Sequence, residues 1–403
     1  MYIRRNIEST IKKRLQQRKA VLVTGARQVG KTTMLTKAFD PPYHYVSLDD
    51  PAIRSRLNSD AMLFFSEEQL PLILDEVQQL PSLFQTIKYV IDQRDDYGQM
   101  ILTGSQTYHL MKGISESLAG RVSVLQMTGL SLRELYDYGD ARPFLPDKMK
   151  TDFKNTEDPG DIWDIAHKGS MPALIDPKIE WQPFYADYVR TYLERDVRDL
   201  TRVKDEIKFY NFMVACAARS GQLFNASDVA RVVGIDHKTV QDWISILQAS
   251  GIAVLLHPFW ANTDKRLAKT PKLYFLDTGL VCYLTGWLNA EQLRLGAAAG
   301  HVYETFVVSE IIKSYLNAGR DISALSFYRD SKKREIDLVI REGRTLHPVE
   351  IKMASHVDKT VADAFAQLSQ FRDFELGSGA VICQTQEPYL LTQQVEVLSP
   401  WDI

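Results

Sequence analysis

Residues 25–33 read GARQVGKTT and place Gly25, Gly30, Lys31 and Thr32 at the spacing G-x-x-x-x-G-K-T. Glycines at those positions let backbone N–H groups wrap a phosphate, and the start of a following helix adds its positive end. Ala26, Arg27, Gln28, Val29 and Thr33 complete the cradle. Lys31 is expected on the β- and γ-phosphates, with the Thr32 hydroxyl on Mg²⁺. Leu72-Ile73-Leu74-Asp75-Glu76 is an apolar run ending in two acids. Asp75 is expected to hold the Mg²⁺ shell and Glu76 to polarise an attacking water. After Met100-Ile101-Leu102 comes Thr103-Gly104-Ser105-Gln106, where Ser105 or Gln106, with Thr103 behind them, offers a polar group to the γ-phosphate. Arg121 has two readings. It neutralises charge in the transition state, from its own chain or a neighbouring subunit, or it ends a helix at the Ala119-Gly120 turn.

A second constellation lies far downstream, in REIDLVIREGRTLHPVEIK at 334–352. Two short strands joined at Gly343 would bring Asp337 and Glu350-x-Lys352 onto one sheet. Asp337 and Glu350, helped by the Ile351 carbonyl, suit Mg²⁺, which would activate water against a phosphodiester. Lys352, two residues from Glu350, shares its strand face and would position the water or neutralise the leaving anion. The plain alternative is charge pairing across a solvated sheet face.

Each candidate needs an element to carry it. Val21-Leu22-Val23 reads as a buried parallel strand feeding the glycine loop, and Leu72–Leu74 and Met100–Leu102 repeat the pattern, each with polar residues at its C-terminal end. With YHYVSLDDP at 43–51 they compose a βαβ series and a doubly wound parallel sheet. Residues 140–165 are rich in Pro, Asp and Lys and read as a linker. PFYADYVRTYLERDVRDL, at 183–200, is helical and carries Arg190, Arg195 and Arg198. Arg195 reads there as a partner of Asp196 or Asp199. From 222 the rhythm is helix–turn–helix, with Asp228–Val233, a turn at Gly234-Ile235-Asp236, Lys238–Ala249, and a strand over Ile252–Leu256. The second helix exposes His237, Lys238, Gln241 and Asp242, a thin charge for DNA that equally suits a structural adaptor. HVYETFVVSEIIKSYLNAG (301–319) reads as an amphipathic helix bearing Glu304, followed by a strand over Ala324–Arg329, the hairpin, a helix over 361–371 and a strand over Ala380–Gln384.

The 403 residues, 45% hydrophobic, suffice for two or three cores, and a net charge of −3 gives no global field for nucleic acid. Cys216, Cys282 and Cys383 are odd in number and far apart, which argues against a disulfide framework and a cysteine zinc site. MYIRRNIESTIKKRLQQRKA lacks an apolar core of leader length, and no 18-residue apolar run exists. A soluble, cytoplasmic chain is expected, with no membrane partner. The basic first helix reads as a solvated helix leading into the first strand, with a surface anchor as the other option.

VTGARQVGKTT, ILDEVQQLP, ILTGSQ and LAGR, followed by GSMPALI (169–175), YVRTYLERDVRDL (188–200) and PKLYFLDTGL (271–280), resemble the AAA-like P-loop ATPases with a C-terminal DUF4143 domain. The later motifs point to that family, and the likeness covers nearly the whole chain. The C-terminal α-β-β-β-α-β order also resembles PD-(D/E)XK nucleases, placing Glu304, Asp337, Glu350 and Lys352 at that pattern's positions, although Glu335-Ile336 stands where a proline is usual. The resemblance implies an α/β chain with a P-loop core over 1–140, a linker and helical lid over 141–205, a winged-helix-like segment over 206–270, and a nuclease-like domain over 271–403. It further implies ATP and Mg²⁺ as cofactors, an ATPase switch controlling the C-terminal end, and, because LERD (193–196) resembles a lid element of those ATPases, Arg195 as a candidate nucleotide sensor. The other readings are an ATP-regulated nuclease and a nucleotide-sensing adaptor. A nucleic-acid or protein partner would use the winged-helix and C-terminal segments, and an arginine supplied by a neighbour would require a homo-oligomer.

Overall fold

The computed structural model describes residues 2–105, 118–146, 160–192, 206–260 and 269–403, with the side chain of Ser105 outside that description. Helix α1 (Ile7–Leu15) leads into β1 (Ala20–Gly25), α2 (Lys31–Ala38), β2 (His44–Ser47), α3 (Pro51–Glu67), β3 (Leu72–Asp75), α4 (Leu83–Asp92), β4 (Met100–Ser105) and β5 (Val122–Gln126). The five strands form one parallel sheet in the order β2-β3-β4-β1-β5. Both faces are covered, so the strands are apolar on both. Val21 and Val23 enter one core, while Ala20 and Leu22 enter the other with Leu57, Phe64 and Ile87.

The middle of the chain is helical, beginning at Ile162–Lys168 inside the segment expected to be linker, and continuing with Trp181–Tyr192 and Glu206–Ala217. Helices Ala226–Val233 and His237–Ala249 follow, capped by the Asn225 and Asp236 side chains and separated at Gly234, whose φ of 73° ends the first. Strands β6 (Gln222–Leu223), β7 (Ala253–Leu256) and β8 (Lys272–Phe275) pair antiparallel in the order β6-β8-β7. The domain boundary expected at 271 would cut this sheet. Because β8 takes its ladder from β6 and β7, residues 272–275 belong with the middle segment.

Helix Ala299–Asn317 opens the C-terminal region. It is followed by β9 (Leu325–Arg329), β10 (Glu335–Glu342), β11 (Thr345–Ile351), a 3₁₀ helix over Lys359–Gln370, β12 (Glu375–Leu376), β13 (Gly379–Ile382), β14 (Tyr389–Leu390) and β15 (Val395–Leu398). The mixed sheet runs β14-β15-β13-β11-β10-β9, with β12 beside β11. The hairpin expected at 334–352 is β10–β11, antiparallel and turning at Gly343. Past β7, Phe259 N donates to Phe327 O, joining the middle segment to the edge strand β9.

The 299–317 helix corrects the amphipathic expectation, since fifteen of its nineteen residues are buried. A helix enclosed on all sides must satisfy its polar side chains internally. Lys313 Nζ donates to Glu310 Oε1 (2.7 Å) and to Leu130 O (3.0 Å), and Glu310 Oε2 accepts from Leu132 N (2.9 Å). The pair thereby binds this helix to the loop beyond β5. Lys313→Met, which leaves Glu310 buried without its cation, is expected to lower stability by about 3–5 kcal/mol in urea unfolding. Glu310→Gln combined with Lys313→Met should recover most of that loss, and equal losses in the single and double variants would refute the ion-pair account.

Candidate functional site

The glycine loop takes its shape from two close constraints. At Gly25 φ is 152°, and a Cβ there would meet Met127 O at 2.1 Å, so the backbone passes too near β5 for any side chain. Gln28 (φ 60°) and Gly30 (φ 90°) are left-handed and turn the chain into α2. Ala26 and Val29 are buried beneath the loop, whereas Gln28, Thr32 and Thr33 face outward and Arg27 is half-buried. Lys31 is the first residue of α2, and its Nζ donates to Gly25 O (3.0 Å) and Ala26 O (2.9 Å). The ammonium is thus held on the loop, at the positive end of an eight-residue helix whose first N–H groups have no intrahelical acceptor.

Asp75 lies at the C-terminal end of β3 and is 3% exposed. Its Oδ2 accepts from Thr32 Oγ1 (2.8 Å) and Tyr45 OH (2.6 Å), and its Oδ1 accepts from Thr103 Oγ1. Tyr45 of β2, Thr103 of β4 and Thr32 of α2 therefore all converge on the Asp75 carboxylate at the end of β3. Burial, and then the bond to Asp75, holds the Tyr45 phenol well above its ordinary range, so it stays a donor. Thr32 and Asp75 supply adjacent hard oxygens, which fits Mg²⁺. Glu76 follows in the left-handed region (φ 56°), with its N–H on Thr103 Oγ1 (3.4 Å) and its carboxylate accepting from Gln78 Nε2. That turn sends Glu76 away from the buried Asp75 and into a cleft of about 1090 Å³. Lys31, Thr32 and Thr33 line the cleft together with Tyr2, Arg5, Pro172 and Ile175.

Other expected residues fall elsewhere. Arg121 is corrected as a phosphate ligand within this chain. Its carbonyl accepts from Ala20 N, at the start of β1, while Gly25 lies at that strand's other end, roughly 16 Å away at strand rise. Its guanidinium pairs instead with Asp92 at 2.8 Å, which lowers the Asp92 pKa and fits the turn-residue reading. Ser105 is the register partner of Gly25, next to the loop. Thr103, the third choice there, is the one that contacts Asp75. Gln106, Arg195 and Arg198 lie outside the described residues, and Arg190 is exposed on the Trp181–Tyr192 helix. Tyr45 and Arg5 escaped sequence reasoning. Tyr45 alternates along a short, unremarkable strand, and Arg5 stands among other basic residues.

In the C-terminal region Glu304 and Asp337 do converge, around a residue the sequence did not flag, with Glu350 beside Asp337 and paired to Lys352. Lys272 Nζ, from β8, lies 2.8 Å from Glu304 Oε1, 2.6 Å from Glu335 Oε1 and 3.5 Å from Asp337 Oδ1. Burial works against its charge, but Glu304, Asp337 and Glu335 outweigh it and keep the ammonium above its usual pKa. Tyr274 OH also donates to Glu304 (2.7 Å), Ile351 N to Asp337 Oδ2 (2.9 Å) and Lys352 Nζ to Glu350 Oε1 (2.6 Å). Burial and then the Asp337 charge raise the pKa values of Glu304 and Glu350. An ammonium already occupies the middle of the acids, so the arrangement does not fit a resident metal.

Comparison with known proteins divides the chain into three matched segments. Residues 17–136 match an AAA domain, residues 160–291 a domain of unknown function (DUF8612), and residues 299–402 the domain of unknown function DUF4143. The uncharacterized proteins Rv2008c of Mycobacterium tuberculosis and Mb2031c of Mycobacterium bovis are each 26% identical over 395 residues, covering 97% of this chain and 82% of theirs. Among solved structures, a Walker-type ATPase of Pyrococcus abyssi overlaps 70% of this chain and 96% of its own at 13% identity and a TM-score of 0.44. The Thermotoga maritima RuvB Holliday junction branch migration motor overlaps 61% and 89% at 16% identity and a TM-score of 0.27. Among the described residues no helix is long and apolar enough to cross a membrane. With an AAA segment built on the glycine loop and a DUF4143 segment built on the β9–β15 sheet, the chain combines an AAA domain with a C-terminal DUF4143 domain, the composition of the AAA-like P-loop ATPases it resembles.

Proposed function

We propose that the protein is a Mg²⁺-dependent ATPase whose nucleotide state controls its C-terminal domain. The observation that carries this reading is the convergence of Lys31, Thr32, Asp75 and Glu76 at one cleft. ATP phosphates would take the Lys31 ammonium from the Gly25 and Ala26 carbonyls and accept hydrogen bonds from the N–H groups of the first turn of α2. Mg²⁺ bound by Thr32 and Asp75 would neutralise charge on the β- and γ-oxygens. Tyr45 and Thr103 orient Asp75 by donating to its two oxygens. Glu76, turned outward, accepts the proton of the attacking water. The 299–317 helix supports coupling, since Glu310 and Lys313 touch the loop after β5 while Glu304 reaches the acid cluster about 14 Å along the axis.

An ATP-regulated nuclease acting through Asp337, Glu350 and Lys352 is the second reading, favoured by their convergence and opposed by the ammonium among them. Within the middle segment, the helices Glu206–Ala217, Ala226–Val233 and His237–Ala249 with the β6-β8-β7 sheet suit a winged-helix-like module. His237, Lys238, Gln241 and Asp242 are exposed on it, as a nucleic-acid or adaptor face requires.

Lys31→Ala is expected to weaken ATP binding by about 10- to 150-fold, the loss of one or two charge-assisted bonds, as read by isothermal titration. Glu76→Gln should bind ATP as the wild type does and lose about 10²- to 10⁴-fold in phosphate release. Undiminished turnover in Glu76→Gln would remove that residue from the base role, and tight ATP binding with background hydrolysis in the wild type would favour a nucleotide-sensing adaptor.

Arg121→Ala should leave turnover within about twofold, because Arg121 lies at the end of β1 opposite the glycine loop and exposed pairs such as Arg121–Asp92 contribute little. A drop of tenfold or more would mean that a neighbouring subunit presents Arg121 to the nucleotide.

A further inference from the structure

We propose that Lys272 is the resident cation of the acidic cluster in the C-terminal sheet, a counter-ion supplied by the middle segment that closes the cluster to divalent metal and locks β8 against β10 and the 299–317 helix. Lys272 belongs to the 160–291 segment, whereas Glu304, Glu335 and Asp337 belong to 299–402. The contact therefore joins two separately matched parts of the chain. The Lys272 side chain is 4% exposed, and Nζ has three donors for three surrounding carboxylates. The face of the Phe327 ring, whose centroid lies 5.7 Å away, adds a further attraction. β8 is laddered on both sides, so its backbone fixes where the ammonium can go.

A divalent ion on these acids would need carboxylate oxygens at about 2.0–2.6 Å. Nζ already holds two of those oxygens at 2.6 and 2.8 Å, so metal and ammonium compete for the same space and the same charge. Among the described residues no group of three His, Cys, Asp or Glu side chains is disposed to hold a metal ion. The remaining acid oxygens are also largely committed. Glu335 Oε2 accepts from Arg329 (2.9 Å), Asp337 Oδ2 from Ile351 N and Glu350 Oε1 from Lys352. Only Glu350 Oε2, on a residue 8% exposed, is buried without a partner. With four carboxylates facing Lys272, Lys352 and Arg329, the cluster is nearly neutral as it stands. Withdrawing Lys272 would leave it short of a cation and open the space that a metal needs.

The test uses the full-length protein without nucleotide, with Mn²⁺ as the probe, followed by electron paramagnetic resonance of the free ion and by thermal melting. Wild type and Asp337→Asn should take up Mn²⁺ identically, because no metal sits on Asp337. Lys272→Met should melt lower, bind Mn²⁺ at least about tenfold tighter than wild type, and regain its melting temperature with Mn²⁺. Lys272→Met with Asp337→Asn should lose that recovery. Should Lys272→Met fail to fold, Lys272→Met with Glu304→Gln removes one carboxylate with the cation, and it should fold and bind Mn²⁺ more tightly than Glu304→Gln alone. The proposal is overturned if wild type binds Mn²⁺ that Asp337→Asn loses, or if every Lys272 variant melts and binds as the wild type does.

Discussion

The Arg5–Glu134 pair is the interaction on which the nucleotide end of the molecule rests. Both side chains are enclosed, at 3% and 0% exposure and 3.1 Å apart, so neither can be left without the other. The guanidinium donates to Val29 O in the glycine loop (2.7 Å), and to Thr128 O (2.7 Å) and Gly129 O (3.1 Å) beyond β5. Glu134 accepts from Asn6 N (2.8 Å), closes the capping box with Ser131, and reaches Asn317 of the buried helix. One ion pair thus fixes the N-terminal segment, the loop, the strand beyond it and the helix that opens the C-terminal region. Lysine could not replace Arg5, because several carbonyls in different directions require the planar fork of donors.

The same constraint organises the join between the middle segment and the P-loop. Asp277 is 7% exposed and spends its oxygens on Ser170 N and Oγ (2.7 and 2.8 Å), Tyr185 OH (2.6 Å) and Leu280 N (2.7 Å). Gly169 and Gly279 meet beneath it, where a Cβ on either would approach Tyr185 OH within 2.4 Å. Ser170 O then accepts from Leu130 N (2.7 Å), which passes the contact to the strand end beside the glycine loop. GSMP and LDTG stand out in the sequence because they close this one joint. Neither supplies a group to the chemistry, yet Pro172 of the first forms part of the cleft wall.

How much could be read in advance depended on the range over which each feature is determined. Glycine spacing, Asp75-Glu76 and the three apolar runs are local, and a buried parallel strand announces both itself and the end at which its polar residues matter. The hairpin was legible for the same reason, with strand alternation flanking Gly343. Arg121 was not, because its role depends on which edge of the sheet it starts from, and one strand length separates a phosphate ligand from a partner of Asp92. Lys272 was hidden more deeply. It reads as one lysine opening a short apolar strand, and only the β6-β8-β7 pairing together with the docking of Phe259 on β9 carries it to acids encoded 32 to 65 residues later. The 299–317 helix misled because its charged residues suggested solvent, whereas Glu304, Glu310 and Lys313 are answered by buried partners.

That helix also explains why the two ends of the molecule are not mechanically independent. Its interior packing is close, with Val307, Val308, Ile311 and Ile312 at 0% exposure, so it moves as a rod or not at all. Tilting it to relieve Glu310 and Lys313 at the P-loop end would drag Glu304 from Lys272 and Tyr274 at the other, and each broken contact would strand a buried charge. The cost of moving one end therefore includes the pairs at the far end. A helix buried without charges would slide against its neighbours at the cost of packing alone. This one is held at both ends by ionic contacts that must break or re-form together, which gives a displacement at either end a discrete character rather than a graded one.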